Sequence, residues 1–133
     1  MSDADTQAPP ATPFEILGGE GAVRRLVDRF YDLMDQDPAY AELRALHAPD
    51  LGPMRDSLTG FLTGWLGGPR HWFEAQPGRC VMSAHAQVPV NRATAGQWTE
   101  AMARALADTG ADAALAAQIN QVFGRMSAGM AAR

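Results

Sequence analysis

The stretch LGGEGAVRRLVDRFYDLMD, residues 17–35, carries the pattern that decides the fold class. Its apolar residues recur at the spacing of one face of an amphipathic helix over 20–35, namely Val23, Leu26, Val27, Phe30, Tyr31 and Met34. Charged residues occupy the other side: Arg24, Arg25, Asp28 and Asp32. The glycine pair at 18–19 separates this helix from a shorter one that begins at TPFE, residues 12–15, where Thr12 and Glu15 can form a capping box.

Helical spacing returns along most of the remaining chain. It predicts a short helix over 38–46, longer helices over 50–66 and about 94–108, and a last helix that includes Leu115 and Met130. Residues 70–79 show no period, and we expect an irregular connection there. The longest alternating run is VPV at 88–90, too short to predict a sheet. The sequence therefore predicts an all-α protein whose unequal helices fit a four-helix bundle poorly.

Length and composition limit the domain count and the partners. A chain of 133 residues suits one domain, which we place at 12–133, after an acidic, proline-rich tail over 1–11 that we expect to be disordered. A net charge of −4 and the lack of a basic run argue against nucleic acid as a partner. No apolar run approaches the roughly 20 residues of a membrane span. The single cysteine, Cys80, cannot form an internal disulfide, which fits a cytoplasmic location.

A histidine stands in an apolar setting within CVMSAHAQVPV, residues 80–90. On a helix, His85 shares a face with Val81 and Met82, so it is either a buried core histidine or a metal ligand. No other metal-binding residue stands three or four positions away, which disfavours zinc. A haem, by contrast, needs one axial imidazole and otherwise apolar walls. Taken alone, Tyr31 and Trp98 are most often packing residues.

The order and spacing of these motifs resemble the truncated globins of the second group. LGGEGAVRRLVDRFYDLMD (17–35) is similar to that group's first glycine pair and B helix with its Phe-Tyr pair. FLTGWLGGPRHWFE (61–74) is similar to its E helix and second glycine motif. His85 then falls at the proximal histidine, and Trp98 follows 13 residues later, as the group's G-helix tryptophan does. The resemblance covers residues 13–130 and implies a two-over-two helical sandwich around haem b.

The resemblance also implies roles for individual residues. His85 would be the proximal iron ligand, while Tyr31, His47 and Trp98 would line the distal side and donate hydrogen bonds to a bound ligand. The expected pocket walls are Phe30, Met54, Leu58, Phe61, Leu62, Trp72, Val81, Met82 and Val90. The chain departs from the group's pattern at Ala84, where an arginine commonly pairs with a haem propionate; Arg70 or Arg79 could supply that charge.

The implied function is reversible binding of O2, NO and CO at a five-coordinate haem iron. Each hydrogen bond to bound oxygen of about 1 kcal/mol slows its release roughly five-fold, which disfavours bulk oxygen delivery. One alternative is a haem-dependent redox enzyme, peroxidase-like or an NO dioxygenase, served by an unidentified reductase. Another is a globin-like module without haem. We expect a monomer or a homodimer.

Overall fold

The computed structural model describes residues 11–76 and 88–131. The helices in these ranges are α1 (Pro13–Leu17), α2 (Glu20–Gln36), α3 (Ala41–Ala45), α4 (Gly52–Trp65), α5 (His71–Ala75), α6 (Arg92–Asp108) and α7 (Ala113–Ala131), with a single 3₁₀ turn at Pro38–Tyr40. No strand occurs in the described residues, and the predicted all-α class is confirmed. Within these ranges, no helix has the length and apolar character needed to cross a membrane.

The first two helices begin and end as the sequence predicts. The Thr12 hydroxyl accepts a hydrogen bond from the Glu15 backbone N–H at 3.1 Å, and the Glu15 carboxylate accepts one from the Thr12 N–H at 3.2 Å. This is the predicted capping box. Gly18 and Gly19 then take φ values of 120° and 84°, which L side chains rarely adopt, so the chain turns sharply into α2.

The segment expected to be wholly irregular at 70–79 contains α5, and that prediction was wrong for His71–Ala75. Five residues are too few to show a period in the sequence. Tertiary contacts hold the helix instead: Trp72 packs on Gly60 and Phe73 packs on Gly64, both in α4. Residues 77–79 lie outside the described residues.

The long helices form two packed pairs. Helix α2 packs on α4, α6 packs along α7, and α2 also crosses α6, so the core lies between the pairs. The apolar face predicted for α2 is the centre of this core, with Val23, Leu26, Val27, Phe30 and Met34 all buried. This arrangement is the two-over-two sandwich that the resemblance to the truncated globins implies.

Candidate functional site

An apolar cavity of about 350 Å³ opens between the two helix pairs. Its walls are formed by helices α2, α4, α5, α6 and α7. Two shorter segments complete them: residues 43–48, which run from α3 into the loop after it, and residues 88–90. Met54 lines it and is 37% exposed, so the cavity meets the surface beside the start of α4. The volume lies in the range of small-molecule and cofactor sites.

Tyr31 projects from α2 into this cavity and is itself buried. Its ring contacts the edges of Phe30 and His47, with centroids 5.0 and 6.0 Å away. Burial raises the pKa of Tyr31 well above its ordinary value, although the positive charge of Arg55 lowers it somewhat. The hydroxyl therefore stays protonated at neutral pH and is able to donate a hydrogen bond.

Trp98 reaches the same cavity from α6. Its indole stands edge-on to Phe30 and to Phe123, each with a centroid distance of 5.1 Å. In the described part of the chain, no residue accepts a hydrogen bond from its N–H. Since the indole N–H is a donor only, a ligand in the cavity would supply an acceptor.

His47 lies at the corner that follows α3 and is half-buried against the cavity. Its Nδ1 is 2.9 Å from the carbonyl oxygen of Leu43. Because a carbonyl only accepts, Nδ1 must carry a proton, and in the neutral ring Nε2 is then the basic nitrogen. Neutral His47 therefore cannot donate through Nε2, in contrast to Tyr31 and Trp98.

The corner itself is held by Arg44. Its guanidinium donates to the carbonyl oxygens of Ala48 and Pro49, at 3.0 and 2.9 Å, and to the carboxylate of Asp35 at 2.9 Å. Three charge-assisted hydrogen bonds of this kind fix the loop that carries His47.

Five of the apolar residues expected in the pocket walls line the cavity: Met54, Leu58, Phe61, Trp72 and Val90. Phe30 and Leu62 are buried in the core, and neither is among the residues that line the cavity. Phe30 instead supports Tyr31 and Trp98 from behind. The expected residues His85, Val81 and Met82 lie outside the described residues, as do Ala84 and Arg79.

Ser57 is a cavity residue that sequence reasoning missed. Its hydroxyl accepts a hydrogen bond from the indole N–H of Trp72 at 3.2 Å. The Trp72 side chain fits there because Gly60 has no Cβ, which would stand 3.0 Å from it. The sequence carried a signal for this packing, because glycines recur at four-residue steps in α4 and just after it, at Gly60, Gly64 and Gly68. Such spacing indicates that large side chains pack closely against one face of the helix.

The floor of the cavity, from α7, was also missed as a lining surface. The sequence predicted a last helix there without placing it at a cavity, and Phe123, Met126, Ser127 and Met130 of this helix line the cavity. The Ser127 hydroxyl lies 3.0 Å from that of Thr99 in α6, which links the two helices. A helical pattern identifies a buried face but not whether that face meets another side chain or a cavity.

These walls fit a haem. They are mainly apolar and carry a few neutral polar groups, which suits a flat cofactor that brings its own ring nitrogens. In the described residues, no group of three or more His, Cys, Asp or Glu could hold a bare metal ion. Two crossed helix pairs around such a cavity define the class of protein: a two-over-two globin.

Comparison with known proteins identifies the family. A family model described as bacterial-like globin matches residues 12–132, and the chain belongs to this family. The group 2 truncated hemoglobin YjbI of Bacillus subtilis (strain 168) is 29% identical over 115 residues, which cover 86% of this chain and 81% of the relative.

Solved structures agree with this assignment. The group II 2-on-2 hemoglobin from the plant pathogen Agrobacterium tumefaciens has a TM-score of 0.88 and 32% identity, covering 93% of this chain and 96% of its own. The cold-adapted truncated hemoglobin from the Antarctic marine bacterium Pseudoalteromonas haloplanktis TAC125 has a TM-score of 0.86 and 30% identity, covering 90% and 97%. The resemblance to group II truncated hemoglobins is thereby confirmed, and the family implies haem-based ligand binding.

Proposed function

We propose that this chain binds haem b and, through it, reversibly binds O2 and other diatomic ligands in a polar distal pocket. The observation that carries the proposal is the pair of donors, Tyr31 and Trp98, on two different helices facing one apolar cavity. His85 is the proposed axial ligand, on its place in the sequence 13 residues before Trp98. Bound haem would supply an iron centre that takes up a diatomic ligand, and His85 would be the residue that holds the iron.

The residues of this chain would hold the group and orient its ligand. Leu58, Phe61 and Val90 provide apolar contact area, and Trp72 closes one side with its indole held by Ser57. Tyr31 and Trp98 would donate to the partial negative charge on the outer atom of a bound ligand. Phe30 packs edge-on against both rings and limits their motion, so little ordering entropy is lost when the ligand arrives.

The first experiment is the absorption spectrum of the purified protein, and then that of His85→Ala. We expect a Soret band in the parent and its loss, or a spectrum typical of a different axial ligand, in the variant. A colourless parent that does not take up added haem would favour the globin-like module without haem. An unchanged ferrous spectrum in His85→Ala would reject His85 as the ligand.

The second experiment measures oxygen dissociation by stopped flow in Tyr31→Phe, Trp98→Phe and the double variant. A net hydrogen bond of about 1 kcal/mol corresponds to about five-fold faster release for each lost donor. The matched control is Tyr40→Phe, whose hydroxyl bonds Glu100 and Arg104 and does not line the cavity. Rates within two-fold of the parent in all three pocket variants would refute the polar-pocket account.

His47 favours a second candidate function, haem-dependent peroxide reduction with a separate reductase as the electron source. The Leu43 carbonyl fixes its Nδ1 proton and makes Nε2 the basic nitrogen, the arrangement that an acid–base catalyst needs. We expect His47→Leu to slow peroxide consumption at least ten-fold while oxygen dissociation changes by less than two-fold. Equal effects on both rates would assign His47 to ligand binding instead.

A further inference from the structure

An arginine of α4 reaches across to the helix that carries Tyr31. The Nη1 of Arg55 donates to the carboxylate of Asp28 at 3.0 Å and to its backbone carbonyl at 3.1 Å, and its Nη2 donates to the carboxylate of Asp32 at 2.8 Å. The two aspartates flank Tyr31 on α2, one turn before it and one residue after it. The guanidinium is thus tied to the turn of α2 that carries Tyr31.

The same guanidinium lies near the ring of Tyr31. Its central carbon is 5.8 Å from the ring centroid, within the range of a cation–π contact. The side chain of Arg55 is only 21% exposed, so solvent screens this contact less than it would on an open surface. Phe30 and His47 contact the ring edge-on, and with Arg55 they surround the phenol.

Arginine suits this place for a geometric reason. Its planar fork spans two carboxylates while remaining near an aromatic ring, which a lysine ammonium cannot do. Asp28 is also shared with Arg24, whose Nε lies 3.3 Å from it and whose Nη1 holds Asp56 at 2.7 Å. Arg55 is therefore one member of a charged network that runs along the α2–α4 junction.

We propose that Arg55 is a positioning residue for Tyr31: it fixes the direction in which the phenol points into the cavity. Because two carboxylates neutralise the guanidinium, its effect on the phenol is one of placement: the guanidinium stays near the ring while its hydrogen bonds tie it to α2. The inference rests on the proposed function only insofar as the acceptor is a haem ligand. The placement of the ring is independent of it.

The test is a double-mutant cycle on oxygen dissociation with Arg55→Gln, Tyr31→Phe and both together. We expect Arg55→Gln to speed release by up to about five-fold, the factor for a lost hydrogen bond to the ligand, and to add nothing in the Tyr31→Phe background. The matched control is Arg104→Gln, because Arg104 lies 5.7 Å from the ring of Tyr40, away from the cavity. It should leave release unchanged.

A second readout does not depend on haem. The chain has two tyrosines, Tyr31 and Tyr40, so fluorotyrosine labelling gives two ¹⁹F signals that Tyr→Phe variants assign. Arg55→Gln should shift and broaden the Tyr31 signal alone, and Arg104→Gln the Tyr40 signal alone. Arg55→Lys keeps the positive charge but not the planar guanidinium, and it should shift the Tyr31 signal less than Arg55→Gln does. It replaces Arg55→Gln as the test variant if the glutamine protein does not fold.

The outcomes separate the two proposals. A purified protein without a Soret band contradicts the proposed function. The ¹⁹F signals still test the role of Arg55 in that case, because they do not depend on haem. An unmoved Tyr31 signal in both Arg55 variants overturns the inference. So does an Arg55→Gln effect on release that is equally large with Tyr31→Phe, because that would show a general structural role.

Discussion

Gly64→Ala tests how tightly α5 is seated on α4. Gly64 is buried, and a Cβ added there would stand 2.6 and 2.7 Å from Cδ2 and Cε2 of Phe73. The ring of Phe73 has little room to retreat: its centroid is 5.6 Å from that of Phe61 and 5.1 Å from that of Trp72, both of which line the cavity. The new methyl group must therefore displace either this ring or α5.

The magnitude follows from two opposing effects. Replacing glycine by alanine inside a helix stabilises it by up to about 1 kcal/mol, and less near a helix end, where Gly64 stands. Overpacking a filled core costs about 1–3 kcal/mol. We therefore expect Gly64→Ala to lower the free energy of unfolding by about 1–2 kcal/mol.

Gly124→Ala is the matched control. Gly124 stands inside α7, where an added Cβ would have no neighbour within 4 Å. The same substitution there should stabilise the protein by about 0.5–1 kcal/mol, because only the helix propensity changes.

The assay is urea unfolding followed by circular dichroism at 222 nm, with haem loading matched between the proteins because a bound group adds its own stability. A Gly64→Ala variant as stable as Gly124→Ala would refute the reasoning. It would mean that Phe73 moves aside freely and that α5 is not fixed by this contact.

Two further predictions concern a charge and a hydrogen bond. The Arg104 guanidinium, 2.7 Å from Asp37, holds the pKa of that carboxyl below its usual 3.8, so it binds fewer protons folded than unfolded. The contribution of this carboxylate to stability is present above pH 3.8 and is lost as the pH falls through its pKa in the folded protein. Asp37→Asn should therefore lose less stability than the parent protein below about pH 4. Parallel acid-unfolding curves for the two proteins would contradict this prediction. Ser57→Ala removes the acceptor of the Trp72 N–H and should lower the free energy of unfolding in urea by about 1 kcal/mol, with a change in tryptophan fluorescence. Ser57→Thr keeps a hydroxyl group and should retain most of the stability. Equal unfolding midpoints in the parent and both variants would contradict the hydrogen bond.

Local pattern was enough for most of the fold. The helix over 20–35, the capping box at Thr12 and Glu15 and the last helix were readable because each depends on residues within a few positions of one another. The spacing of motifs was enough for the family, since a chain order of helices and glycine pairs is itself a sequence property. The roles of His85 and of the tail at 1–11 stay predictions, because both lie outside the described residues.

The tertiary structure alone decided how these helices meet. Helix α5 is held in place because Trp72 and Phe73 pack against glycines of α4. The orientation of the His47 ring follows from the hydrogen bond between its Nδ1 and the Leu43 carbonyl oxygen. The contact of Arg55 with the surroundings of Tyr31 joins residues more than twenty positions apart. Helical periodicity determines which face of a helix is buried. The way in which two helices cross determines which side chains on that face contact a neighbour and which line a cavity. That crossing depends on packing over the whole core, so the sequence of one helix does not determine it.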